Sequence, residues 1–222
     1  MRRAVFVVAV AAFAGPSAAA QWGGVPVWNS PKGGSGVTIA GDYTRSNVIG
    51  SNSNAIAGRV SLGVGTTTVT VGASSWQPES FNTRVTSLGG SLALRLIGGS
   101  RLPVAVNLQL GGAYNNKVTS GTQTLPEATT AQGAVGFSTP LPVPLIRVEP
   151  YFSLGVRFHR YWNVPVGARK DETNFGWVVG GNVGFGPIAI HIAYDSEKFA
   201  SGTAHHVIGI GVSLEIGRPL GT

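Results

Sequence analysis

The feature that most constrains this chain is an alternation of apolar with small or polar residues at a period of two. Within residues 88–96, leucine stands at positions 88, 92, 94 and 96, whereas positions 89, 91, 93 and 95 hold Gly, Ser, Ala and Arg. Successive side chains of a β-strand point to opposite sides, so this pattern predicts a strand with one apolar face. Residues 104–111, 152–159, 188–195 and 208–216 repeat it. The sequence therefore predicts an all-β fold.

Five weaker segments of the same kind bring the predicted number of strands to ten. They cover residues 37–43, 56–64, 69–75, 131–137 and 175–185. Most of the ten are close to the ~9–11 residues with which a tilted strand crosses a bilayer.

The connections between these segments alternate between short and long. The short ones lie at 65–67, 98–102, 138–147 and 186–187, and the long polar ones at 46–54, 77–82, 115–127, 163–173 and 196–205. Short turns at one end and long loops at the other are typical of a membrane barrel whose termini lie on the periplasmic side. We predict an up-and-down antiparallel transmembrane β-barrel of ten strands, with eight strands as the alternative.

The composition favours a membrane barrel over a soluble β protein. Only 11% of the residues are charged, whereas 43% are hydrophobic; a soluble surface carries about 25–35% charged residues. A secreted β-sandwich or soluble barrel would turn the apolar faces inward, which would leave an outer surface of Gly, Ala, Ser and a few arginines. The four lysines lie outside the strand interiors, as a lipid-facing apolar surface requires. The absence of cysteine excludes disulfides and thiolate metal sites.

The N-terminus has the pattern of a secretory signal peptide. Arginines at positions 2 and 3 precede an apolar run over 4–14, and small residues follow up to Ala20. The run is too short to span a membrane as a helix, which takes about 20 residues. The predicted organisation is a signal peptide at 1–20, a periplasmic segment at 21–35, the barrel at 36–216 and a C-terminal tail at 217–222.

Across residues 36–216 this pattern resembles the small outer-membrane β-barrel proteins of Gram-negative bacteria, the grouping that includes OmpA-like and opacity-type barrels. The resemblance is one of architecture and carries over no functional residue. It implies export, insertion by the barrel assembly machinery, contact with outer-membrane lipid and lipopolysaccharide, and a monomer. No cofactor is predicted, and nucleic-acid binding is not supported because the basic residues form no clustered stripe.

Aromatic residues are predicted to mark the interface of the membrane on the side of the long loops. They stand on apolar faces where these adjoin the long connections, as in the aromatic girdles of membrane barrels. The predicted girdle consists of Tyr43, Tyr114, Trp162, Trp177 and Tyr194.

The faces opposite the apolar ones should line the lumen. Their ionisable members are Asp42, Arg59, Arg95, Glu149, Arg157, His159, His191, Asp195 and Glu215. Arg95, Glu149 and Glu215 are all predicted near the short turns, where they would form an ionic cluster that closes the periplasmic end. The alternative is a charged constriction that selects solutes. The many inward Gly, Ala and Ser residues are expected to leave room for water or a narrow path.

These features predict a structural barrel or a narrow pore for small solutes, and no enzyme. Two alternatives stay open: an enzyme with its active site at the outer rim, and a surface-binding barrel that acts through its long loops. His159 and Asp195 are the only plausible pair of histidine and carboxylate for catalysis, since His191 and Asp195 lie about 13 Å apart along one strand. No catalytic residue and no metal ligand is assigned.

Overall fold

A computed structural model describes residues 36–46, 53–78, 81–99, 102–121, 123–141, 143–164, 167, 169–199, 202 and 204–217. The predicted signal peptide, the segment 21–35 and positions 218–222 of the tail lie outside the described residues. In the described part of the chain, no helix has the length and apolarity to cross a membrane. The strands are β1 (Gly36–Ser46), β2 (Ser53–Val64), β3 (Thr67–Pro78), β4 (Val85–Gly99), β5 (Leu102–Asn115), β6 (Val118–Ser120), β7 (Gln123–Leu125), β8 (Glu127–Ser138), β9 (Arg147–Trp162), β10 (Asp171–Phe185), β11 (Ile188–Lys198) and β12 (Ala204–Ile216).

Ten of these strands form one closed antiparallel barrel, in the order β1-β12-β11-β10-β9-β8-β5-β4-β3-β2. The first and last strands close it, with Val37 opposite Ile216 and Ser46 opposite Val207. Each strand pairs with the barrel strand before and after it in the chain, so the predicted up-and-down topology is confirmed. The count of ten is also confirmed, and the alternative of eight is wrong.

The connection 115–127, predicted as a loop, contains a small hairpin. Strands β6 and β7 pair with each other and lie outside the barrel sheet. Gly121 occupies the turn with φ of 60°, a conformation that glycine adopts at little cost. Three-residue strands carry too few alternations for a period of two to be visible in the sequence.

The apolar faces of the barrel strands point outward. On β9, an exposed row of side chains runs from Phe152 to Trp162 and is apolar except for Arg160 near its outer end. Ten residues span about 33 Å along a strand, which at a tilt of ~40° gives a band about 25 Å tall, the height typical of membrane barrels. In the described strands, charged residues and histidines on the outward face all lie at the long-loop ends: Arg45, Glu127, Arg160, Asp171, Lys198 and His206.

Candidate functional site in the lumen

The lumen is filled at its long-loop end by apolar side chains, which we call the outer apolar plug. Trp76 and Val85 point inward from β3 and β4, and Phe81 enters from the loop between them. Val118 and Leu125 come from the β6–β7 hairpin and join the same buried cluster. Burial of this apolar surface holds the hairpin against the outer end of the barrel. These side chains fill part of the lumen at that end.

Below the plug lies the outer ionic cluster, formed by Arg157, His159, Asp195 and Glu197. Arg157 donates two hydrogen bonds of 2.7 Å to the carboxylate of Asp195 and one of 3.1 Å to Glu197. Its Nε also donates to Gln132, at 3.0 Å. The side chains of Arg157 and Asp195 are 3% and 0% exposed. A buried guanidinium with this many partners is well compensated for its lost hydration.

His159 is held in the same cluster, but by a different carboxylate from the predicted one. Its Nε2 contacts Oε1 of Glu197 at 2.5 Å, and its Nδ1 lies 3.2 Å from the hydroxyl of Thr130. The structure therefore pairs His159 with Glu197 and not with Asp195, which binds Arg157. The Phe199 ring stacks on the imidazole at 5.5 Å. Thr130 and His159 are both buried.

Closer to the short turns, Asp42, Arg59 and His191 form the inner ionic cluster. Nε of Arg59 donates to Asp42 at 3.0 Å, and Nε2 of His191 lies 2.5 Å from the other oxygen of Asp42. Asp42 is on β1 and His191 on β11, so the two side chains meet across β12, at Gly211. A Cβ at Gly211 would collide with both, which explains the glycine at this position.

The inward glycines of β10 do not leave room for water, contrary to expectation. Positions 176, 180 and 184 lie beneath three long side chains of β9. An added Cβ would lie 2.9 Å from the guanidinium carbon of Arg157, 2.5 Å from the ring of Tyr151 and 2.8 Å from the guanidinium of Arg147, respectively. The glycines allow these side chains to cross β10, and the two arginines reach carboxylates on the strands beyond it.

At the short-turn end, the structure brings together only part of the predicted cluster. Glu215 forms an ion pair of 2.7 Å with Arg147, a residue that the sequence analysis omitted. Glu149 accepts a hydrogen bond of 2.6 Å from Ser138. The participation of Arg95 stays a prediction.

A cavity of about 300 Å³ lies in the lower part of the lumen, between the inner ionic cluster and the short turns; we call it the short-turn cavity. The proline-rich connection from β8 to β9 contributes Pro140, Leu141, Val143 and Ile146 to its wall. The strands contribute Thr38, Arg59, Ser61, Thr68, Thr70, Ala93, Arg147, Val148, Glu149, Asn182, Gly184, Ala189, His191, Ser213 and Glu215.

The predicted girdle residues stand on the outward face. Tyr43, Tyr114 and Trp162 are exposed, and the rings of Trp177 and Tyr194 pack together with centroids 5.5 Å apart. The guanidinium of Arg160, two residues before Trp162 on β9, lies 4.7 Å from the centroid of the Trp162 ring. The arrangement is that of amphipathic rings between an apolar band and a charged rim.

Comparison with known proteins gave matches in solved structures only. No family model matches the chain, and no curated protein matches it. A bacterial polysaccharide outer membrane secretin matches with a TM-score of 0.49 and 11% identity, covering 82% of this chain and 66% of its own. The β-domain of the Bordetella autotransporter BrkA matches with a TM-score of 0.48 and 10% identity, covering 82% and 100%. The NanC porin matches with a TM-score of 0.37 and 10% identity, covering 81% and 100%. These proteins are outer-membrane β-barrels, the class of proteins that the sequence pattern resembles. The similarity is one of fold and carries over no functional residue.

Proposed function

We propose that this protein is an integral outer-membrane β-barrel with a closed lumen and a structural role in the membrane. The observation that carries this proposal is the outer ionic cluster, in which Arg157 crosses β10 and is bound on the far side by Asp195 and Glu197. The side chains of Arg157, Asp195 and Glu197 are at most 3% exposed, so very little water reaches this level of the lumen. The outer apolar plug lies above it and adds an obstacle to hydrated ions.

An open pore is disfavoured because the charged side chains of the lumen are bound by other side chains of the protein. A charged constriction selects ions through groups that face water. Here Asp42, Asp195 and Glu197 are buried and bound by protein partners. Opening a path would require these ion pairs to separate, which costs several kcal/mol for each buried charge left alone. We therefore favour the structural barrel over the narrow pore.

We place the barrel in the outer membrane, with the long loops outward. The apolar band, the aromatic residues at the long-loop ends and the charged rim above them support this orientation. Export by a cleaved signal peptide, assembly by the barrel machinery, a monomeric state and contact with lipopolysaccharide are parts of the same proposal. Fractionation tests it: the protein should remain with outer membranes and migrate faster on unheated gels, whereas a detergent-independent periplasmic monomer would overturn it.

Labelling of introduced cysteines tests the closure of the lumen, since the chain has no cysteine of its own. Ala193→Cys places a thiol between the two ionic clusters, at a position that is 1% exposed. Gln123→Cys places a control thiol on the exposed face of the hairpin. A membrane-impermeant maleimide should label Gln123→Cys rapidly and should label Ala193→Cys only after unfolding. Equal labelling rates in the folded protein would show that the lumen is open.

A further inference from the structure

The short-turn cavity is a space in the described lumen that the packing of the ionic clusters leaves unfilled. Its volume of about 300 Å³ is at the lower end of small-molecule sites and has room for on the order of ten heavy atoms. Arg147, whose side chain is 34% exposed, and the exposed Leu141 border it on the side of the short turns. A solute can therefore approach from that side without passing the outer apolar plug.

From this cavity we infer a binding site for a small neutral molecule rich in hydroxyl groups, of the size of a monosaccharide. The inference goes beyond the proposed structural role and does not depend on it, because the site needs access from the short-turn end only.

The charges around the cavity favour a neutral ligand. Of the guanidinium groups in its wall, that of Arg59 is bound by Asp42 and that of Arg147 by Glu215. Glu149, the remaining carboxylate of the wall, accepts a hydrogen bond from Ser138. An anion would have to separate an ion pair or bury its own charge without a partner, and a cation would have to draw Glu149 away from Ser138; both are costly.

The hydroxyl groups of the wall favour a ligand that can both donate and accept hydrogen bonds. Thr38, Ser61, Thr68, Thr70 and Ser213 line the cavity from β1, β2, β3 and β12. Ser61 and Thr70 bond to each other at 2.8 Å. The hydroxyls of Thr38 and Thr68 are buried and have no protein partner in the described structure. A polyol that reached them through a change of the threonine rotamer would satisfy them, whereas an apolar ligand would not.

The opposite wall is apolar and fits the carbon-bound face of a sugar ring. It comes from the proline-rich connection, where Leu141 is held by a backbone hydrogen bond of 2.8 Å from its N–H to the carbonyl of Val148. Val143 and Ile146 continue this surface. The hydroxyl groups at the edge of a sugar ring would contact the hydroxyl-lined wall, and the C–H groups on its face would pack against the apolar wall.

Saturation-transfer NMR on the full barrel, refolded in a detergent without a sugar headgroup, tests the site. The probes are glucose and myo-inositol as neutral polyols, gluconate and glucosamine as charged counterparts, and cyclohexanol as an apolar counterpart. The neutral polyols should show transfer, and the other three should show little. Thr68→Val and Thr38→Val keep the side-chain size and remove one hydroxyl each, so each should weaken binding about 3- to 10-fold. Thr67→Val, on the lipid-facing side of the same strand, is the matched control and should leave binding unchanged.

Several results would overturn the inference. Absence of transfer to both neutral polyols would mean that the cavity holds water only. Stronger binding of gluconate or glucosamine would show that the charge pairs are not closed to ions. Equal weakening by Thr67→Val and Thr68→Val would place the binding outside the cavity.

Discussion

Removal of the Arg157 side chain should destabilise the barrel more than removal of the exposed Arg160 side chain on the same strand. Arg157→Ala leaves Asp195 and Glu197 two residues apart on β11, both buried, without the cation that they share. Loss of one partner of a buried ion pair costs about 3–5 kcal/mol. For a chain of 222 residues, 1 kcal/mol corresponds to roughly 2–4 °C, so the unfolding midpoint should fall by about 6–20 °C.

The fraction of protein that keeps its fast, folded mobility on gels after incubation at increasing temperature measures this midpoint. Arg160→Ala is the matched control, because Arg160 is on β9 but its ion pair with Asp171 has a separation of 3.8 Å and is 47% exposed on both sides. Such pairs contribute about 0–1 kcal/mol. If both variants unfold at the same temperature, the ion pairs of Arg157 do not stabilise the barrel and the reasoning is refuted.

Two further substitutions, each with a matched control, test the lumen-facing and the lipid-facing sides of the barrel wall. Gly211→Ala should lower the free energy of unfolding in urea by about 1–3 kcal/mol, because its Cβ collides with the inner ionic cluster, whereas Gly58→Ala, which has open space around it, should have almost no effect. No difference between these variants would argue against the packing across β12. Val156→Lys, in the middle of the lipid-facing band, should cost about 2–4 kcal/mol when the barrel folds into lipid vesicles, and Thr173→Lys, at the long-loop end, about 0–1 kcal/mol. Equal costs would show that these two positions do not differ in membrane depth.

The ten barrel strands were predictable because lipid on one side and a packed lumen on the other impose a strict period of two. The residues at which the strands begin and end were harder to predict from the sequence. As a result, two residues that line the lumen were not predicted. Glu197 has the same parity as Asp195, and Arg147 the same parity as Glu149, so extending the alternation by two residues would have added both. Each proved to be an ion-pair partner of a lumen charge.

The choice of partners within the lumen was not predictable from parity. Whether His159 contacts Asp195 or Glu197 depends on the register between β9, β10 and β11, and the alternation of apolar and polar residues alone does not determine that register. The glycines at 176, 180 and 184 mark the register in retrospect, because each stands where a long side chain of β9 crosses. The hairpin was not predicted for a different reason. Val118 and Leu125 are buried within the outer apolar plug, so they show no alternation of the kind that packing against a sheet would impose.

Single-channel recording in planar lipid bilayers tests the central claim, the closed lumen, most directly. Purified wild-type barrel, with insertion verified by its heat-dependent gel shift, should give no conductance steps above the baseline of the bilayer. Regular, reproducible steps from the wild-type protein would contradict the closed lumen and would favour the narrow pore.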